Sequence, residues 1–328
     1  MHRILVTPQL LKQARGTYYD ILEKAGCEVV WPTVPEPELR GPVLAAHLEG
    51  VSGVLAGAEP YTREILAGSK LRAIARSGVG YDAIDIAAAT DLRIPVTITP
   101  GTNEHSVAEQ MLALLLGVFR GVPSRDAEVR AGNWSRRQPL WRLAGRTIGL
   151  VGLGRIGRAV VPRAIGLGLK VVAFDPFPDR EFAARHSVPL LSFEELLAQS
   201  DIVSLHLPAT AETRDLINRR TLGLMRQGAV LINTSRGGLV DEDALVEALA
   251  SGHLRGAGLD VFKVEPLPLS SPLLELDNVV LAPHMAGQDE ESSEAMFRMA
   301  AECLARLSHN EWPEGCVVND QIRAGWKW

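Results

Sequence analysis

Residues 147–175 read TIGLVGLGRIGRAVVPRAIGLGLKVVAFD, and the fold is read outward from them. An apolar run, Ile148 to Val151, feeds three glycines, Gly152, Gly154 and Gly157. A helical segment follows, and a second apolar run, Val171 to Phe174, ends on Asp175. Strand, glycine turn, helix, strand and acid is the order in which a dinucleotide site is built. Gly152 permits the tight turn, Gly154 lets the backbone approach a pyrophosphate, and Gly157 lets the helix pack on the strand. The first-turn N–H groups and the helix dipole favour the phosphates. Asp175, eighteen residues beyond Gly157, is placed to hold the adenosine ribose hydroxyls. In a chain with 30 glycines the triplet alone says little; the flanking strand, helix and acid make the assignment. Pro162, well inside the expected helix, costs roughly 3 kcal/mol unless a kink absorbs it, so a bend is expected there.

On the N-terminal side, residues 1–99 alternate short apolar runs (Ile4–Val6, Glu28–Val30, Val51–Leu55, Leu71–Ala75, Pro95–Ile98) with helical segments, among them Leu10–Lys24 and Val43–Leu48. That alternation argues a parallel sheet with helices on its faces. Pro100-Gly101 punctuates the chain, and from Asn103 a helix follows whose apolar positions Val107, Met111, Leu114, Leu115 and Val118 are widened by Leu112, Leu116 and Phe119. A helix apolar nearly all round is covered on all sides, so it is expected to cross between domains or into a partner subunit. Ala131–Arg146 has no period and reads as a loop whose Trp134 and Trp141 are expected to be buried packing. Beyond Asp175 the strands run Asp201–Leu207, Ala229–Asn233, Gly256–Val261 and Val279–Ala282, with a helix over Asp243–Ala250 stopped by Gly252. A helical run, Glu291–Leu307, and an extended tail close the sequence. The expected fold is α/β with two doubly wound parallel-sheet domains. A dinucleotide-binding Rossmann domain, 100–284, is inserted into a flavodoxin-like substrate domain, 1–99 and 285–328, with hinges at Pro100-Gly101 and Pro283.

Composition bounds the partners. At 328 residues the chain favours two domains, and 46% hydrophobic with 22% charged residues is ordinary for a soluble globular protein. A net charge of -5 gives no electrostatic reason to expect nucleic acid or an anionic membrane. Cys27, Cys303 and Cys316 are odd in number, widely spaced and without a metal-ligand pattern, so reduced thiols, a cytoplasmic setting and no metal are expected. The N-terminus enters a strand-like run at once, unlike a signal peptide, and the longest apolar stretch, Met111–Phe119, is too short to span a bilayer.

Ligands of doubly wound sheets sit outside the carboxyl ends of the strands, which acts as a filter for chemistry. Arg236 follows the strand of AVLINTSRGG, Glu265 follows that of GAGLDVFKVEP, and His284 follows that of VVLAPH. Singly these could be a loop arginine, an acid before a turn and a helix-capping histidine. Together they are the set a hydride transfer to a keto acid needs. The arginine orients carbonyl and carboxylate, the histidine gives or takes the hydroxyl proton, and the acid holds the imidazole charged and in one tautomer.

The stretches SGVGYD (77–82), PGTNEHSVAE (100–109), GLGRIG (152–157), LINTSRGGLVDEDAL (231–245), GAGLDVFKVEPL (256–267) and APHMAG (282–287) resemble the D-isomer-specific 2-hydroxyacid dehydrogenase family, nearest its phosphoglycerate dehydrogenase-like branch. The resemblance covers nearly the whole chain in order. It implies an NAD-dependent enzyme, a homodimer, that closes on a small 2-keto or 2-hydroxy acid in a cleft between its domains. Arg236, Glu265 and His284 would be catalytic, and the backbone N–H groups of Val79 and Gly80 would bind the substrate carboxylate, with Arg236 and Asn103 also at the substrate. Asn103 is equally well read as a helix N-cap. Arg155 and Ile156 would meet the pyrophosphate and Asp175 the ribose. Leu207, Thr234, Ser235, Asp260 and Gly287 would meet the rest of the dinucleotide, Asp260 at the nicotinamide carboxamide.

The sequence also departs from the family. Its G-x-D-N-I-D reads GYDAID here, with Ala83 in place of asparagine, so that loop is expected to be anchored differently. Branches that grip a phosphorylated substrate carry an arginine after the third strand, where this chain has Gly57, Ala58 and Glu59. Arg76 reads as a surface-paired strand-end residue, and Arg136, Arg137 and Arg142 could reach a substrate only by folding over it. The regulatory extension of longer phosphoglycerate dehydrogenases is not seen. Two rival readings stand beside this one. An NAD(H)-sensing corepressor-like interaction protein on the same fold lacks a visible interaction tail or basic arm, and a hydrolase of the adenosylhomocysteine type needs a larger substrate domain.

Overall fold

Short runs rich in Val, Ile, Leu and Ala build two separate parallel sheets in the computed structural model, which describes residues 2–134 and 140–328. The chain divides into two compact units, residues 1–103 with 288–328 and residues 104–287.

The first unit begins with β1 (His2–Val6), α1 (Thr17–Lys24), β2 (Cys27–Val30), α2 (Gly41–His47), β3 (Gly53–Ala56), α3 (Arg63–Gly68), β4 (Ala73–Arg76), α4 (Ile86–Asp91) and β5 (Val96–Thr97). Strand order is β2-β1-β3-β4-β5, all parallel, the flavodoxin-like order. The expected long helix from Leu10 is shorter: Gln9–Leu11 makes one 3-10 turn, Gln13 takes a left-handed φ of 56°, and the helix restarts at Thr17 behind an extended Gly16. The loop that lost an asparagine at Ala83 is held by backbone instead. Tyr61 N–H donates to the Ala83 carbonyl at 2.8 Å and Asp85 N–H to the Tyr61 carbonyl at 3.0 Å. The Asp85 side chain caps α4 through Ala88 N–H.

The second unit holds α5 (Glu104–Arg120), α6 (Val122–Arg130), β6 (Thr147–Val151), α7 (Arg155–Gly166), β7 (Lys170–Phe174), α8 (Arg180–Arg185), α9 (Phe193–Gln199), β8 (Ile202–Leu205), α10 (Arg219–Leu224), β9 (Ala229–Asn233), α11 (Glu242–Ala250), β10 (Leu254–Leu259) and β11 (Val279–Leu281). Its sheet runs β7-β6-β8-β9-β10-β11, all parallel. A single parallel bridge, Ala173 to Leu190, extends it beyond β7, so the order is the dinucleotide-binding one with its third strand reduced to a bridge. The reversal of strand order falls between β6 and β8, at the glycine loop. Helix α5 does not cross between the units. It lies within the second, packed on α7, β9, β10 and β11, which accounts for its wide apolar stripe. Helix α7 is continuous through Pro162. The last helix, α12 (Glu290–Ser308), returns to the first unit, against α1, β3 and β4.

The unit boundaries fall at Asn103/Glu104 and Gly287/Gln288, a few residues beyond the prolines expected as hinges. The physical reason is visible at the second boundary. Asp260, at the end of β10, accepts from Met285 N–H at 3.0 Å and Ala286 N–H at 2.8 Å, which ties the turn after Pro283 to the second unit.

A candidate active site on the carboxyl edge of the second sheet

The glycine loop has the geometry its spacing predicts. Gly152 sits at φ 109°, and a Cβ there would meet the His206 carbonyl oxygen at 2.6 Å, so only glycine fits. A Cβ on Gly157 would collide with the Gly152 carbonyl, so helix and turn touch through bare backbone. A Cβ on Gly154 would meet nothing within 4 Å; Gly154 is the N-cap of α7, and the space before the helix is open for a ligand. Arg155 is exposed and Ile156 half-buried in the first turn. Asp175 fastens the loop from the neighbouring strand, accepting from Leu153 N–H at 2.7 Å and Phe177 N–H at 2.8 Å. Leu207 is buried just after β8. Past β9, Ser235 donates to the Leu207 carbonyl at 2.6 Å, while the Thr234 hydroxyl is buried with no partner. An orphaned hydroxyl, an open helix N-terminus and a carboxylate at the end of the second strand fit a dinucleotide.

The three residues singled out for chemistry hang on this edge. Asn233, buried at the end of β9, donates to the Arg236 carbonyl at 2.9 Å and accepts from Ser235 N–H at 3.0 Å, so it shapes the loop that carries the arginine. Gly237 follows because a Cβ there would overlap the Phe262 backbone. Glu265 accepts from Phe262 N–H at 2.9 Å through Oε1, and its Oε2 is 2.6 Å from His284 Nδ1. His284 takes a left-handed φ of 53°, with its N–H on the Asp260 carbonyl at 2.7 Å. A non-glycine residue in that region is strained, and the strain here aims an imidazole at a carboxylate. Burial raises the Glu265 carboxyl, but the His284 hydrogen bond, the Phe262 N–H and the charges of His284 and Arg236 outweigh it and hold the group below its usual value. Asp260 goes the other way. Burial pushes it up despite the Met285 and Ala286 N–H groups. Gly287 is the last residue of this unit.

The remaining residues lie in the first unit. Val79 and Gly80 follow β4 at the carboxyl edge of that sheet, in a loop fixed by Ser77 N–H on the Ala56 carbonyl and Thr99 N–H on the Gly78 carbonyl. Arg76, at the end of β4, is half-buried. Its guanidinium folds onto its own loop, against Gly78 and the Ser77 carbonyl. Asn103 is the last residue before α5. Of the loop thought able to fold over a substrate, Arg136 and Arg137 lie outside the described residues, and Arg142 is exposed. Trp134, expected to be buried, is 90% exposed, whereas Trp141 packs on Phe119 and has the guanidinium groups of Arg146 and Arg255 over its ring. His206 was missed. Its ring meets Ser204 at 3.0 Å through Nε2, its Nδ1 is buried and unpartnered, and burial lowers its pKa to about 4. The signal was its place directly after β8, on the same edge as the glycine loop.

Two doubly wound parallel sheets, the second with a dinucleotide loop and an Arg–Glu–His set on one edge, define a class of nicotinamide-linked proteins. The model of the D-isomer specific 2-hydroxyacid dehydrogenase NAD binding domain matches residues 112–286. A D-3-phosphoglycerate dehydrogenase of Mycobacterium tuberculosis is 40% identical over 303 residues, 90% of this chain and 57% of that protein. A glyoxylate reductase of Thermococcus litoralis is 40% identical over 297 residues, 88% of this chain and 89% of that protein. The crystal structure of the TT0316 protein from Thermus thermophilus superposes with a TM-score of 0.83 at 40% identity, covering 96% of this chain and 99% of that one. The chain belongs to the D-isomer specific 2-hydroxyacid dehydrogenase family, and its second unit is the family's NAD-binding domain. It spans little more than half the length of the mycobacterial relatives. Among the described residues no helix is long and apolar enough to cross a membrane.

Proposed function

We propose that this protein is an NAD-dependent D-2-hydroxyacid dehydrogenase that also reduces 2-keto acids. The observation that carries the reading is the His284–Glu265 contact on the edge that bears the glycine loop. When bound, the cofactor would supply redox chemistry, NADH giving a hydride to the substrate's C2 in reduction and NAD+ taking it in oxidation. The chain's residues do the rest. Gly152, Gly154, Arg155, Ile156 and Gly157 seat the pyrophosphate, Asp175 the ribose, and Leu207, Thr234, Ser235, Asp260 and Gly287 the remainder. Nδ1 of His284 is committed to Glu265, which leaves Nε2 to give a proton to the carbonyl oxygen in reduction and to take it back in oxidation. The Arg236 guanidinium orients the carbonyl and carboxylate, and the Val79 and Gly80 N–H groups with Asn103 receive the carboxylate.

A homodimer is part of this reading. Helix α6 buries none of its residues, Val122, Val129 and Trp134 are exposed, and a groove of about 700 Å³ at the start of α6 is lined by Phe119, Trp141 and Val280 together with Arg125, Arg255 and Asp277. Exposed apolar side chains beside a groove of mixed polarity on one surface suit a second copy. The test of the function is a panel of 2-keto acids with NADH followed by absorbance, alongside sedimentation for the dimer. No turnover of any member would overturn it in favour of a protein that only senses NAD(H).

A further inference from the structure

In the first sheet the strand order reverses between β1 and β3. Ligands of doubly wound sheets sit in the crevice outside the carboxyl ends of the strands at such a switch point. Thr7 directly follows β1, and Gly57, Ala58 and Glu59 directly follow β3. Glu59 is 3% exposed. Its Oε1 is crowded with donors, accepting from the Thr7 hydroxyl, from the Tyr61 hydroxyl at 2.7 Å and from Gly57 N–H at 3.2 Å. Its Oε2, also buried, has no hydrogen-bond partner among the described residues. A second acid faces the same spot. Glu36, half-buried in the turn before α2, accepts from Ala58 N–H at 3.0 Å. A Cβ on Gly57 would meet Glu36 Oε1 at 2.6 Å and Glu59 Oε2 at 3.0 Å, so two carboxylate oxygens flank the bare Gly57 backbone.

A buried carboxylate oxygen without a donor is costly, and two acids side by side add repulsion. Burial raises the Glu59 carboxyl, Thr7 and Tyr61 pull it down, and the charge of Glu36 raises it again. One kind of group relieves both costs, a cation that donates to the two oxygens together. An ammonium brings three donors and a charge, where a hydroxyl brings one donor and none. A divalent metal ion takes six or more oxygens, and among the described residues no three His, Cys, Asp or Glu side chains gather to hold one. The next strand end in the sheet is that of β4, whose register pairs Ala56 with Arg76. Val79 and Gly80 lie in the loop that follows it.

We propose that Glu36 and Glu59 bind a primary ammonium on the tail of the substrate, so that the preferred substrate is a 2-hydroxy or 2-keto acid ending in a protonated amine. The inference rests on the dehydrogenase reading and on Val79 and Gly80 receiving the substrate carboxylate. The carboxylate is held at the end of β4, a short alkyl chain runs to the end of β3, and the ammonium donates to Glu59 Oε2 and Glu36 Oε1. Such charge-assisted contacts discriminate by about ten- to a hundredfold against a tail that lacks the donor.

The test compares D-2-hydroxy acids that differ only at the tail. 4-Amino-2-hydroxybutyrate and 6-amino-2-hydroxyhexanoate are set against their methyl isosteres, 2-hydroxypentanoate and 2-hydroxyheptanoate, and their carboxylate analogues, 2-hydroxyglutarate and 2-hydroxypimelate. Oxidation with NAD is followed by absorbance, and binding to the NADH complex, which does not turn over a hydroxy acid, by calorimetry. At the better-fitting length the ammonium should be favoured over methyl by about ten- to a hundredfold in affinity and in kcat/KM, chiefly through KM, with the carboxylate last. Glu59→Gln and Glu36→Gln should each lower that ratio about tenfold. Each variant is judged on the ratio within itself, so general damage to the fold cancels. Equal affinity for ammonium and methyl tails at both lengths would overturn the proposal, and turnover of the methyl isosteres decides separately whether the dehydrogenase reading holds. An ammonium preference that survives both substitutions would overturn the assignment to these two acids.

Discussion

His284 Nδ1 and Glu265 Oε2 are 2.6 Å apart, and each partner is fixed independently, His284 by its N–H on the Asp260 carbonyl and Glu265 by the Phe262 N–H. The imidazole therefore keeps one tautomer and one direction. Replacing His284 with Asn should lower kcat by roughly 10² to 10⁴ while NADH binding, followed by fluorescence, is retained. In the unaltered enzyme, reduction needs the protonated ring and oxidation the neutral one, so the two directions should show opposite pH dependence. Near-normal turnover by the variant would make the assignment wrong.

The cofactor's 2′ position is decided at Asp175. Its carboxylate is held by Leu153 and Phe177 N–H groups at the end of β7, Pro176 and Phe177 follow in place of basic residues, and Arg158 is engaged by Asp179 at 2.8 Å. A 2′-phosphate brought there would meet an anion. NAD should be preferred over NADP by about two decades in kcat/KM, on the order of 3 kcal/mol. Asp175→Ala should narrow the gap, and equal efficiency with NADPH in the unaltered protein would refute this.

His206 ties stability to pH. Its backbone abuts the Gly152 turn, its ring Nδ1 is buried, and burial lowers its pKa from 6.5 to about 4. The unfolded chain therefore binds a proton that the folded one refuses, in the window between pH 6.5 and about 4. Stability is full above that window and falls as pH drops through it, by about 3 kcal/mol at most. NMR titration should find this imidazole neutral down to about pH 4; a midpoint near 6.5 would show that the ring is not buried in solution.

Much of this was legible because it is local. The glycine spacing, the acid at Asp175 and the strand ends carrying Arg236, Glu265 and His284 are each set by a few consecutive residues, and the parallel topology gathers strand ends on one edge. What the sequence hid depends on partners far along the chain. The break before α1 is set by backbone angles at Gln13 and Gly16. The place of α5 inside one unit is set by α7 and β10, which no period in its own residues could name. His206 looks like any polar residue after a strand until Ser204 and the Gly152 turn close around it. The second boundary lies past His284 because Asp260 holds Met285 and Ala286.

Glu59 bears on the tail of the substrate. The residue is 3% exposed, just past β3 on the carboxyl edge of the first sheet, where the strand order reverses between β1 and β3. Its Oε1 collects hydrogen bonds from the Thr7 and Tyr61 hydroxyls and from Gly57 N–H at 3.2 Å, while its Oε2 has no partner. Glu36 stands opposite: a Cβ on Gly57 would meet Glu36 Oε1 at 2.6 Å and Glu59 Oε2 at 3.0 Å. Burial raises the Glu59 carboxyl against the pull of Thr7 and Tyr61, and the neighbouring Glu36 raises it further. This corner places two acids, Glu36 and Glu59, at the position after the third strand where a phosphate-gripping arginine would stand. A missing charge-assisted contact is worth roughly 1.5 to 3 kcal/mol, or about ten- to a hundredfold. Glyoxylate and hydroxypyruvate should therefore be reduced at least as efficiently as 3-phosphohydroxypyruvate. Glu59→Gln, which keeps the shape and removes the ionisable group, should raise kcat/KM for the phosphorylated substrate relative to hydroxypyruvate. A hundredfold preference of the unaltered protein for the phosphorylated acid would defeat the argument and direct attention to the segment carrying Arg136 and Arg137.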